Sequence, residues 1–95
     1  MKMNVNDIKV KILPILKKYN VKKAGIFGSV ARNEENENSD VDILVEIDSD
    51  ISLLDFVGMK IEIEETLGRK VDLVEYSTIK PTLRKRILRE EVHIL

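Results

Sequence analysis

The segment Asp40-Val41-Asp42-Ile43-Leu44-Val45-Glu46-Ile47 constrains the fold more than any other. Successive side chains of a strand alternate faces, so Val41, Ile43, Val45 and Ile47 share one side and Asp40, Asp42, Leu44 and Glu46 the other. A strand with such an apolar side must bury it under a second layer. Asp40 and Asp42 project together, and two adjacent carboxylates repel each other unless a cation lies between them. A shorter apolar strand is expected over residues 21–27. It is stopped by Gly28-Ser29, with ten residues between Ser29 and Asp40. Gly25 and Gly28 are unusual in a strand and mark a close backbone approach. The amides and hydroxyl of a Gly-Ser turn can hold phosphate oxygens. The two halves together point to a metal-nucleotide site.

The other segments read as support for these strands. Residues 4–19 form an amphipathic helix, with Val5, Ile8, Ile12, Ile15 or Leu16, and Tyr19 at helical spacing. Asn4 or Asn6 caps its start and Asn20 takes the left-handed closing position. Pro14 removes one hydrogen bond and predicts a kink. Residues 30–32 form a helical turn starting at Ser29, 33–38 a polar loop and 48–50 a turn. A second helix over 52–67 opens with Ser52 and Asp55 in a capping-box spacing and stops at Gly68. Its inner face is predicted as Leu53, Phe56, Lys60, Ile63 and Leu67, with Leu54, Val57 and Ile61 beside it. A third strand over 70–75 carries Asp72. A third helix over 78–89 accepts Pro81 in its first turn and turns Leu83, Ile87 and Leu88 inward. Residues 92–95 are expected as a short edge strand.

Ninety-five residues make a single domain over residues 1–95, with a small core. The absence of cysteine excludes disulfides and thiolate metal sites, and one histidine excludes a multi-histidine zinc site. The net charge of -1 gives no strong nucleic-acid signal. No apolar run approaches the roughly 18 residues of a membrane span, and no signal-peptide pattern follows Met1. A cytoplasmic protein without a membrane partner is expected.

Gly28-Ser29, ten residues and Asp40-x-Asp42 in an apolar strand resemble the nucleotidyltransferase superfamily that includes DNA polymerase beta. More narrowly, Gly28-Ser29-Val30-Ala31-Arg32 followed by Ser39-Asp40-Val41-Asp42-Ile43-Leu44-Val45 is similar to the minimal nucleotidyltransferases. These occur in bacteria and archaea as antitoxins paired with HEPN ribonuclease toxins. The chain departs from the family at Asn33, where glycine is usual, but asparagine tolerates a left-handed turn.

The resemblance implies an α/β (α+β) fold: a small mixed β-sheet with helices mainly on one face, as in the polymerase beta palm. It implies transfer of AMP from ATP, with two Mg²⁺ ions, to a tyrosine hydroxyl of a cognate HEPN toxin. Asp40, Asp42 and Asp72 would be the catalytic and metal-binding carboxylates. Gly28, Ser29 and Arg32 would contact the nucleoside triphosphate. Mg²⁺ takes oxygen ligands and shares them with substrate phosphates, which suits three aspartates.

Each residue also has a plainer reading. Asp-x-Asp alone is a solvated strand pattern, and Gly-Ser alone an ordinary turn. Arg32 suits an ion pair with the acidic loop as well as a phosphate. Arg84-Lys85-Arg86, with Arg89, reads as a basic helix face or as a nucleotide, RNA or partner contact. Arg86 and His93 formally meet the HEPN arginine-histidine spacing, but that site needs a helical bundle. At the level of function, a binding module that neutralises a partner by occlusion stands beside the enzyme, as does transfer to a small molecule.

Overall fold

The computed structural model describes residues 3–34, 39–48 and 50–95. Residues 35–38 of the expected polar loop and Ser49 of the expected turn lie outside these. The first helix, α1 (Val5–Lys18), starts in a capping box: the Asn4 side chain accepts from the Asp7 amide, and the Asp7 carboxylate accepts from the Asn4 amide. It runs through Pro14, whose missing donor faces the carbonyl of Val10 on the exposed side, where water can satisfy it. Asn20, at φ 59°, turns the chain out of the helix. Strand β1 (Lys23–Phe27) follows, then the single helical turn α2 (Gly28–Ala31) and strand β2 (Val41–Glu46).

Helix α3 (Leu53–Leu67) is capped by Ser52, which accepts from the Asp55 amide, and ends at Gly68 with φ 67°. It crosses over to strand β3 (Val71–Glu75). A short 3₁₀ turn (Tyr76–Thr78) leads to α4 (Pro81–Glu90), with Pro81 in its first turn, and to the edge strand β4 (Val92–His93). The sheet order is β3-β2-β1-β4. β1 pairs antiparallel with β2 and β4, while β2 and β3 are parallel, so the sheet is mixed as expected.

The apolar side of β2 is buried as its alternation requires. Val41, Ile43 and Val45 pack with Ala24, Ile26, Val71 and Leu73 beneath Ile8, Ile12 and Leu16 of α1 and Met59, Ile63 and Leu67 of α3. On the opposite side a smaller cluster gathers Leu44, Tyr76 and Ile79, with Phe27, Val74 and Ile87 against it. α4 covers only part of this second side, and the exposed remainder carries the aspartates.

Two expected helix faces are corrected. In α3 the buried stripe is Met59, Ile63 and Leu67, with Phe56 beside it. Leu53 and Leu54 are 78% and 85% exposed, and Val57 and Ile61 also face outward. The apolar residues of this helix form a band wider than one face, so periodicity could not choose its inner side. α1 chooses it: Lys18 and the Tyr19 hydroxyl both donate to Glu62. In α4 only Ile87 packs inward, while Leu83 and Leu88 are exposed. Leu54→Glu is therefore expected to change stability by less than about 0.5 kcal/mol, whereas Ile63→Ala costs about 2–5 kcal/mol. Urea unfolding of both variants measures the contrast.

Candidate active site

The strand pairing decides which carboxylates meet. In the parallel register Asp42 of β2 stands beside Asp72 of β3, and in the antiparallel register it stands beside Phe27, the last residue of β1. Asp40 lies just ahead of β2, where Val41 is tied to strand β3's approach by a bond to the Lys70 carbonyl at 3.0 Å. Asp40 and Asp72 are exposed and Asp42 is half-buried. Burial, then the neighbouring charges of Asp72 and Asp40, push the Asp42 carboxyl up to about 6, against a smaller opposing pull from Arg32.

Gly28 closes the other side of Asp42. It has φ +73°, and a Cβ placed there would lie 3.0 Å from the Asp42 Cγ, closer still to Oδ2. Only a residue without a side chain admits both the left-handed turn and the carboxylate. Gly28→Ala is thus expected to displace Asp42 and to reduce transfer by at least about 100-fold. A thermal melt distinguishes this from unfolding, since the strain alone costs only about 1–2 kcal/mol.

The turn after Gly28-Ser29 is held by backbone bonds from Arg32 to Gly28 at 3.1 Å and from Glu34 to Ser29 at 2.8 Å. Asn33 occupies the left-handed region at φ 60°, the conformation expected where the family uses glycine. Arg32 forms ion pairs with Glu34 at 3.0 Å and with Glu90 of α4 at 2.9 Å. Its ion-pair reading is therefore realised in this structure, with a partner on α4 as well as one in the acidic segment.

Among the described residues no three His, Cys, Asp or Glu side chains converge closely enough to hold a metal as they stand. The donor set nevertheless fits Mg²⁺. Asp42 and Asp72 are adjacent in register, Asp40 adds to the crowding of negative charge felt at Asp42, and all offer hard oxygen ligands.

A cleft of about 470 Å³ opens beside this cluster, lined by Phe27, Gly28, Ser29, Arg32 and Asp42 together with Leu83, Arg86, Ile87 and Glu90 of α4. The α4 wall was not foreseen as a unit. The basic run 84–86 signalled it, but helical phase splits that run: the Arg84 guanidinium donates to the Tyr76 carbonyl at 3.0 Å, and Arg86 lines the cleft. His93 sits in the edge strand, as expected.

Comparison with known proteins places this arrangement. Residues 10–95 match the family described as polymerase beta, nucleotidyltransferase. A Methanocaldococcus jannaschii protein, provisionally named a protein adenylyltransferase, is 57% identical over 93 residues, covering 98% of this chain and 100% of its own length. A solved structure, provisionally described as a minimal nucleotidyltransferase, superposes with a TM-score of 0.81 at 33% identity, covering 95% of each chain. A Shewanella oneidensis complex, described as a tri-AMPylated HEPN toxin with its MNT antitoxin, contains the same fold. Its TM-score is 0.71 at 18% identity, covering 93% of this chain and 69% of that one. The common class is nucleotidyl transfer. The chain belongs to the polymerase beta nucleotidyltransferase family, in its minimal nucleotidyltransferase branch.

Proposed function

We propose that this enzyme transfers AMP from ATP, with Mg²⁺, to a tyrosine hydroxyl of a cognate HEPN toxin in the cytoplasm, and so acts as its antitoxin. The observation that carries the reading is the register that sets Asp42 beside Asp72, with Gly28 pressed against the Asp42 carboxylate. The provisional name of the archaeal relative and the AMPylated toxin of the Shewanella complex support a protein acceptor.

Asp40, Asp42 and Asp72 would hold the Mg²⁺ through their carboxylate oxygens. When bound, the ions supply positive charge to the phosphates and acidify the attacking hydroxyl. The protein's own work is positioning. Gly28 lets the phosphates approach the backbone, and Ser29 offers its hydroxyl and amide. Asp72, on the neighbouring strand, would help draw the proton from the acceptor oxygen as that oxygen attacks the α-phosphorus. Pyrophosphate departs from the opposite side, as an in-line displacement requires.

The test incubates the protein with α-labelled ATP, Mg²⁺ and the toxin encoded beside it. Label on the toxin that disappears in Asp40→Ala and Asp42→Ala supports the reading. Toxin neutralised by both variants without label would establish neutralisation by occlusion instead, a reading favoured by the exposed Leu53 and Leu54 of α3.

A further inference from the structure

The arginines around the cleft are not equivalent. Arg32 is held by two carboxylates, Glu34 at 3.0 Å and Glu90 at 2.9 Å. Arg86 reaches the same Glu90 only at 3.9 Å, the outer limit of an ion pair, and its side chain is 73% exposed. A phosphate recruiting Arg32 must first break close ion pairs. One recruiting Arg86 breaks almost nothing. Arg86, from α4, lines the same cleft as Gly28, Ser29 and Asp42, so a ligand seated on those residues has it within the same space. Its helical neighbours Leu83 and Ile87, with Phe27, give that space apolar surface suited to an uncharged nucleoside, leaving the guanidinium for the anionic end.

We propose that Arg86 binds the β- and γ-phosphates of the nucleotide, the part released as pyrophosphate. This inference rests on the nucleotidyltransferase reading and adds a residue from α4 to it. In transfer, the bond from the acceptor oxygen to the α-phosphorus forms and the bond to the bridging oxygen breaks. The electron pair leaves on pyrophosphate. Arg86 exchanges no proton; it neutralises charge that grows on the leaving group, through the two parallel donors a guanidinium offers to phosphate oxygens. Glu90 holds Arg32, and its carboxylate offsets part of the positive charge in the cleft.

The experiment is calorimetric titration of the full chain with Mg²⁺-ATP and, separately, with AMP, for the wild type, Arg86→Ala and Arg86→Lys. Because Arg86 is largely exposed, both variants are expected to melt within a few degrees of the wild type. Arg86→Ala should weaken ATP binding about tenfold or more while changing AMP binding less than about twofold. Arg86→Lys should recover part of the loss, since it keeps the charge but not the paired donors. ATP binding that is unchanged in Arg86→Ala, or lost in equal proportion to AMP binding, overturns the assignment and leaves the proposed function standing. A wild type that binds neither nucleotide overturns both.

Discussion

Asp42→Asn should abolish transfer and, at the same pH, make the metal-free protein more stable. The two effects share one cause. The Asp42 carboxyl titrates at about 6 in the fold against 3.8 in an ordinary setting, because it is half-buried beside Asp72 and Asp40. A carboxyl whose folded value is raised favours the folded state only while it is protonated. Below about pH 4 the side chain carries its proton in both the folded and unfolded chains, and wild type and Asp42→Asn should be equally stable. As the pH climbs through 4 to 6, the unfolded chain releases the proton while the folded one retains it, and the wild type loses stability. Above about pH 6 the penalty is complete. Two pKa units would correspond to about 3 kcal/mol, and solvent screening at this half-exposed group reduces that to about 1–2 kcal/mol. Removing the charge should recover that much at pH 7.5.

The expected result is therefore a crossing pattern. In metal-free buffer at pH 7.5, Asp42→Asn melts several degrees above wild type, and the difference vanishes near pH 4. Saturating Mg²⁺ with nucleotide raises the wild type by mass action and leaves the variant behind. On the proposed function transfer falls by at least about 100-fold, since the lost charge is one that would hold Mg²⁺ beside the phosphates. Melts in EDTA and in Mg²⁺, at several pH values, test the whole pattern. A variant less stable than wild type in EDTA at pH 7.5 would falsify the account of a like-charge cluster held together without its cation.

Much of the local geometry around this site is legible in the sequence. The alternation over residues 41–47 located the buried side of β2, and Asn4, Ser52 and Gly68 marked helix ends where they fall. Gly28 signals a place of close approach, and Asp42 is what approaches it. The lessons lie in what local pattern cannot carry. Alternation put Asp72 on a face, but only the parallel register between strands separated by α3 brings it beside Asp42. For α3 itself, Leu53, Leu54, Val57 and Ile61 widen the apolar band beyond one face, and its contact with α1 settles the rotation. The second wall of the cleft depends on helical phase at a resolution of one residue, which separates Arg84 from Arg86. Gly25 announced a close approach as Gly28 did, yet nothing local could name the group that comes near, because it lies more than sixty residues away at the end of α4.

That group is Glu91, and Gly25→Ala should expose its role with a second large effect. The Glu91 side chain is only 2% exposed and lies 3.6 Å from His93 Nδ1. It accepts a hydrogen bond from the Tyr76 hydroxyl, itself covered by Lys23 4.8 Å above its ring. Burial and this donation to Glu91 hold the Tyr76 hydroxyl firmly protonated. A Cβ on Gly25 would lie 2.6 Å from the Glu91 Cδ, so the carboxylate must leave. Its departure strands a buried hydroxyl and breaks a charged hydrogen bond, a loss of about 2–3 kcal/mol, or roughly 10 °C or more in a chain of this size. Glu91→Ala alone should cost a similar amount. The double variant decides the mechanism: with the carboxylate absent, the added methyl has space, and Gly25→Ala should then cost less than about 0.5 kcal/mol. Coupling of about 2 kcal/mol identifies the glycine as the seat for Glu91. Additive losses would mean that Gly25 is needed for the strand itself. Because Glu91 directly follows the last turn of α4, this seat also fixes the helix that carries Arg86 over the cleft. Gly25→Ala should accordingly weaken ATP binding at temperatures where the protein is still folded, which no purely local strand defect would do.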